Sequence, residues 1–159
     1  MFKKLYYAFV HSHLSYLAFI WGNTGKYILK TLVTFQNRVV KFILGLHRLT
    51  STKVIYQISS IIPLTQNIKC NSVKFVFRSI KYSLHSVKLT KVHNFGYALR
   101  RNINLPIPSV NTTKYGLQGV LYTCLTSYNT LPNELKGIID YELFKMKIKK
   151  YFLELFLAL

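Results

Sequence analysis

The sequence predicts a mainly α-helical fold: a small helical bundle built on a long antiparallel helix hairpin, then an irregular proline-containing loop region and a C-terminal helix. Three observations predict it. Apolar residues return at three- and four-residue steps over several long stretches, the period of a helix with one buried face. Gly22, Gly25 and Pro63 punctuate those stretches, while Pro106 and Pro108 rule out a continuous helix between residues 91 and 111. Asp140 stands where an N-cap is needed, directly before a final apolar stripe.

Taken in order, the first helix runs from Leu5 to Trp21, with Tyr6, Val10, His13, Leu17 and Ile20 on one face and Lys4, Ala8, His11 and Ser15 on the other. After Gly22-Asn23-Thr24-Gly25 the period restarts as Ile28, Leu32, Phe35, Val39, Phe42 and Leu46, with Lys30, Asn37 and Lys41 opposite. Two amphipathic helices joined by a short polar turn are expected to fold back antiparallel, stripe on stripe, burying Leu17, Ile20, Leu32, Phe35 and Val39 together. Ser51-Thr52 caps a short helix through Val54, Ile55 and Ile58. Pro63 fits the first turn of a longer one reaching about His85, whose inward stripe is Leu64, Ile68, Ser72, Phe75, Ile80 and Leu84. Leu117 to Leu131 reads as a short helix or as two strands, and Asn129-Thr130-Leu131-Pro132 ends it. The last helix buries Tyr141, Phe144, Ile148, Tyr151, Leu155 and Leu159. The regions are therefore 1–90 (basic, helical), 91–135 (irregular) and 136–159 (C-terminal helix), packed as one unit.

Charge says more about partners than length does. In 159 residues, 22 Lys and Arg face 4 acids, a net charge of +18, and no carboxylate side chain precedes Glu134. A compact chain so charged repels itself and calls for a polyanion or an acidic neighbouring domain, with nucleic acid the leading candidate. Lys74, Arg78, Lys81, His85 and Lys88 share one face of the third long helix, either as a solvated face or as a ridge that tracks phosphates. Lys30, Arg38 and Lys41 on the second helix, and Arg100-Arg101 beside Val92-His93-Asn94-Phe95-Gly96-Tyr97, are further candidate phosphate contacts. That last loop either stacks bases and grips phosphates or drapes over a core.

Several chemistries lack their residues. Two-metal phosphoryl transfer needs paired carboxylates, and the acids Glu134, Asp140, Glu142 and Glu154 form no D-D or D-x-D pair. His11, His13, His47, His85 and His93 stand without a Cys pair or an H-E-x-x-H spacing, so no metal ligand set is assigned. No G-x-S-x-G elbow and no phosphate-cradling glycine loop occurs. Cys70 and Cys124 read as free thiols of a reducing compartment, hence an intracellular chain, cytoplasmic or nuclear and not secreted. Leu5 to Trp21 is interrupted by His11, Ser12, His13 and Ser15, so stable membrane insertion is not expected.

The order of short motifs adds a family resemblance. Leu5-Tyr6-Tyr7, His11-Ser12-His13-Leu14-Ser15-Tyr16, Trp21-Gly22 and Phe35-Gln36-Asn37-Arg38 ahead of Ile43 resemble the segment just downstream of the polymerase palm in jockey-like non-LTR retrotransposon reverse transcriptases. Ile62-Pro63-Leu64, His93-Asn94-Phe95 before Arg100-Arg101, Tyr128-Asn129 with Leu131-Pro132, and Phe144-Lys145 ahead of Lys149 and Tyr151 continue it in the family's order. The family's glycine after the tyrosine is Leu17 here, and its second basic residue is Lys41. The resemblance implies a thumb and C-terminal region that grips RNA, DNA or an RNA–DNA hybrid beside a palm domain absent from this chain. It implies RNA-directed DNA polymerase activity for the parent protein, with magnesium held by the palm and no cofactor in this chain. Since the palm's aspartates are missing, the chain alone is expected to be inactive, with backbone contacts from Lys30, Arg38, Lys41, Lys74, Arg78, Lys81, Lys88, Arg100 and Arg101. Met1 leads into the first helix without a cap, as a fragment of a longer reading frame would. Two rival readings stay open. One is a small basic membrane-associated protein using Leu5–Trp21 and Tyr151–Leu159 as interfacial segments, and the other a degenerate pseudogene product, since the zinc knuckle common in such elements is missing.

Overall fold

The computed structural model describes residues 2–23, 25–82 and 104–158. The expectations for Leu84, His85, Lys88, the loop around His93, Arg100-Arg101 and Leu159 fall outside them. Every regular element among the described residues is helical. The chain runs α1 (Phe2–Leu5) through a π-helical stretch (Tyr6–His11) into α2 (Ser12–Ser15), then α3 (Ala18–Trp21), α4 (Lys26–Leu44), α5 (Thr52–Ser59) and α6 (Leu64–Lys81). A π-helical turn (Thr113–Leu117), α7 (Val120–Asn129), α8 (Asn133–Lys136) and α9 (Tyr141–Ala158) complete it.

Helix α6 is the centre, packed against α2, α3, α4, α7 and α9. It starts one residue after Pro63, whose extended backbone makes it the N-cap rather than the first turn. Its sequence holds apolar or small residues on nearly every side, so Leu64, Ile68, Cys70, Ser72, Val73, Val76 and Phe77 are all buried, while Ile80, expected inside, is exposed. The Phe77 ring stacks on Phe144 of α9 with centroids 4.1 Å apart, and Leu125 and Tyr128 of α7 close the same cluster. Within the 117–131 stretch, residues 120–129 form helix α7 and no strand. Asp140 caps α9 as expected, accepting from the Leu143 amide at 2.9 Å. Along α9 the buried residues are Phe144, Ile148 and Phe152, so Phe152 takes the place expected of Leu155.

The opening hairpin differs from the expected one in phase. Tyr6 is buried and Val10 partly so, but the buried line then passes through Leu14 and Ala18, leaving His13, Leu17 and Ile20 exposed. The cause is the π-helical stretch, which spends an extra residue per turn and rotates everything after it. The first arm also breaks, because Tyr16 is extended (ψ 119) and Leu17 is left-handed (φ 46). The Trp21 indole Nε1 spans that break, donating to the Tyr16 carbonyl at 2.7 Å. At Gly22 any Cβ would collide with the Ala18 carbonyl and the Ile68 side chain, so glycine is what lets the end of α3 rest on α6.

On α4 the inward line is Leu29, Val33, Gln36, Val40 and Ile43, one residue round from the predicted stripe, of which Leu32, Val39 and Leu46 are half-buried while Ile28, Phe35 and Phe42 are exposed. Phe35 is 51% exposed, and Leu17 and Ile20 are exposed as well, so the joint burial expected of these three does not form. Gln36 sets this phase. Its side-chain nitrogen donates to the Tyr6 hydroxyl (2.8 Å) and the Ile62 carbonyl (3.1 Å), and its oxygen accepts from the Leu64 amide (2.7 Å) and the Tyr56 hydroxyl (3.1 Å). Three positions of this buried amide are filled outright and the fourth shares the one Tyr56 proton with Asn37 Oδ1 (2.6 Å), an arrangement favourable only in this one orientation. Asn129 and Lys136 form a second polar joint: Asn129 pairs with both backbone groups of Leu105, and the Lys136 ammonium donates to Asn104 Oδ1 and the Asn129 carbonyl, each at 2.8 Å. Among the described residues, no helix is long and apolar enough to cross a membrane.

Candidate nucleic-acid interface

With Gln36 turned inward, the opposite face of α4 is fixed by the helical period. Tyr27, Lys30, Thr34, Arg38 and Lys41 point outward, and Phe35 and Phe42 line one edge. Two shallow clefts lie along this face. One is lined by Tyr27, Lys30, Thr31, Thr34, Phe35 and Arg38. The other is lined by Arg38, Lys41, Phe42, Leu46 and Arg48, so Arg38 is common to both.

Arg48 arrives there through the turn that ends α4. Gly45 is left-handed (φ 64) and the Leu46 amide donates back to the Lys41 carbonyl, reversing the chain. The Lys41 ammonium then donates to the Arg48 carbonyl. Lys41 and Arg48 thus sit where the helix dipole is negative, which favours cations. The Thr31 and Thr34 hydroxyls are bonded to the carbonyls four residues back, so the donors facing outward are the cationic ones.

Three of the four acids are engaged elsewhere, and the fourth, Glu134, stands in the first turn of α8. Asp140 caps α9, Glu142 pairs with Lys145 at 3.2 Å and Glu154 with Lys150 at 3.8 Å, all within or beside α9. These exposed pairs contribute little stability, but they place the negative charge far along the chain from α4.

The three described cations of the α6 ridge have other neighbours. Arg78 lays its guanidinium over the Tyr141 ring, 4.6 Å from the centroid. The Lys81 ammonium donates to the Ile139 carbonyl at 3.3 Å. Both therefore hold the turn into α9. Lys74 is half-buried beside Cys70 and His11. His11 lies edge-on to Tyr7 (5.0 Å) and 3.1 Å from the Ser15 hydroxyl. Burial, and then the charges of Lys149 and Lys74, push its pKa down to about 4, so it is neutral at pH 7. Ser15 in turn accepts from Asn67 at 2.8 Å.

The structure thus gathers Lys30, Arg38 and Lys41 on one face of α4 and sets Lys74, Arg78 and Lys81 on α6 among different neighbours. Sequence reasoning missed Arg48, Tyr27 and Phe42 as site residues. Gly45 was the available signal for Arg48, since a left-handed C-cap folds the following residues back on the helix. Phe35 and Phe42 were absorbed into the apolar stripe. Comparison of the chain with protein families, curated proteins and solved structures found no match.

Proposed function

We propose that this chain is a non-catalytic nucleic-acid-binding unit, corresponding to the thumb and C-terminal region of a non-LTR retrotransposon reverse transcriptase whose palm domain supplies RNA-directed DNA polymerase activity. The observation that carries binding is the outer face of α4, where Lys30, Arg38, Lys41 and Arg48 stand among exposed aromatic rings and no acid shares the helix. Arg38 is the central contact, with the two lysines and Arg48 extending the phosphate track to either side. Lys74, Arg78 and Lys81 supply field more than contact, because Arg78 and Lys81 are drawn to the α9 turn, whereas the Lys41 bond to the Arg48 carbonyl holds two cations side by side on the α4 face.

Support for the family reading comes from where its motifs meet. Tyr6, Gln36 and the Ile62-Pro63-Leu64 segment, distant in sequence, join in three hydrogen bonds of Gln36. Leu17, where the family has glycine, is left-handed, the conformation glycine adopts without penalty. Tyr128-Asn129 and Leu131-Pro132 form the joint of α7 and α8.

The test is a titration of labelled single-stranded RNA, DNA duplex and RNA–DNA hybrid with the full chain across a salt series. Four phosphate contacts predict a slope of log K against log salt of about −2.8 to −3.6, from about 0.7–0.9 per contact. A flat salt response, or no binding at low salt, overturns the reading.

A further inference from the structure

We infer that the outer face of α4 takes single-stranded nucleic acid in preference to duplex, stacking bases on Phe35, Phe42 and Tyr27 while Lys30, Arg38, Lys41 and Arg48 follow the backbone. This rests on the nucleic-acid reading above and goes beyond it by naming the form of the ligand. Phosphate contacts alone would need only the cations. Yet Tyr27 is 84% and Phe42 85% exposed, and Phe35 lies half-exposed between them. Open aromatic rings interleaved with cations are the arrangement that binds unpaired bases, because every base offers a π face while duplex bases are already stacked on one another.

The geometry of the helix fits a strand. Phe35 and Phe42 are seven residues apart and so fall almost in line, about 10 Å from one another at ~1.5 Å per residue. A stacked strand rises about 3.4 Å per nucleotide, so roughly three nucleotides span the gap. Arg38 lies between the two rings and lines both clefts, placing its guanidinium where the intervening phosphates would pass.

Two other occupants fit the same face less well. A partner helix would need apolar residues at both seam positions of each heptad. Here Ile28, Phe35 and Phe42 repeat every seven residues, but the seam residues between them, Leu32 and Val39, are half-buried against the core, so a partner helix would meet only one exposed apolar position per heptad. A lipid surface wants the wide exposed apolar face of an interfacial helix, and here the exposed rings are bordered by Thr31, Thr34 and Arg38 on one side and by Leu32 and Val39, half-buried against the core, on the other. Charge selects a polyanion, the open rings select its unpaired form, and spacing selects a short run of nucleotides.

The experiment compares Tyr27→Ala/Phe42→Ala with the parent chain, using a uridine oligonucleotide, an abasic oligonucleotide of equal length, a DNA duplex and phosphatidylserine vesicles. Both residues are solvent-exposed, so the variant should keep its circular dichroism and urea midpoint, which are checked first. The expected result is a loss of at least about fivefold per ring on the uridine strand, less than twofold on the abasic strand and duplex, and an unchanged salt slope. Equal loss on all three polymers, or no loss on any, overturns the single-strand assignment while leaving nucleic-acid binding intact. Vesicle binding without binding to any of the polymers overturns both readings. If the double variant unfolds, Phe42→Leu, which keeps apolar bulk but no ring, must show the same selective loss.

Discussion

Replacing Gln36 by Leu removes one side chain and strands several partners at once. Leucine has similar volume but no polar atoms, so the Leu64 amide and the Ile62 carbonyl both lose a bond worked out at 2.7 and 3.1 Å. The Tyr56 hydroxyl keeps a second acceptor, Asn37 Oδ1 at 2.6 Å. The Tyr6 hydroxyl loses its donor. Two buried backbone groups left without partners cost about 1–3 kcal/mol each. The added apolar burial returns roughly 1–2 kcal/mol. The net is a loss centred at about 2–3 kcal/mol, a large part of the ~5–15 kcal/mol that holds a domain of this kind together. Urea denaturation followed by circular dichroism at pH 7 reads it directly. Tyr6→Phe should cost about 1 kcal/mol in the parent chain but almost nothing in the Gln36→Leu background, since the two share one bond. A Gln36→Leu chain as stable as the parent, or costs that simply add, would refute the claim that this amide sets the phase of α4.

Three further outcomes follow from the same structure. Leu17→Gly should raise stability by about 1 kcal/mol, since Leu17 holds a φ of 46 that costs L residues about 1–2 kcal/mol and is partly exposed; a lower urea midpoint would contradict it. Phe144→Ala, at the Phe77 stack and fully buried, should cost about 3–5 kcal/mol, whereas the half-exposed Phe35→Ala should cost under about 1 kcal/mol; the reverse order in a denaturation series would restore the stripe-on-stripe hairpin. Because His11 titrates near 4 in the fold and at 6.5 when unfolded, its contribution is complete above pH 6.5 and is lost as pH falls toward 4. The urea midpoint should therefore fall across that window less steeply in His11→Gln than in the parent, and identical pH profiles would count against it.

What the sequence made legible is the part written in periodicity and caps. The helical class, α5 after Ser51, the start of α6 near Pro63 and the Asp140 cap all rest on local signals that tertiary contacts did not override. The phase of the first two helices was not legible. A stripe drawn through apolar residues passes over Gln36, because nothing local announces that a glutamine will find four buried partners from Tyr6, Tyr56, Ile62 and Leu64. The π-helical stretch at Tyr6–His11 is equally silent, and it moves Leu14 and Ala18 to the inside at the expense of Leu17 and Ile20. The same shift decides the candidate site. Lys30, Arg38 and Lys41 were visible as charges, but their grouping with Tyr27, Phe42 and Arg48 depends on which way Gln36 points. The α6 ridge was visible as a periodic charge run, and only the packed α9 turn shows that Arg78 and Lys81 have structural neighbours.

The most direct test of the α4 face as the phosphate-binding surface is the salt dependence of single-strand binding for two matched variants. One is Lys30→Ala/Arg38→Ala/Lys41→Ala, and the other Lys74→Ala/Arg78→Ala/Lys81→Ala, which removes the same charge from α6. Both lower the long-range field equally. Only lost contacts should flatten the slope, by about 0.7 each on a single strand, or roughly 2 for three. The account predicts that flattening for the α4 variant and a slope close to the parent's for the α6 variant, provided both retain the parent's circular dichroism. A parental slope in the α4 variant, with the change appearing in the α6 variant, would contradict it.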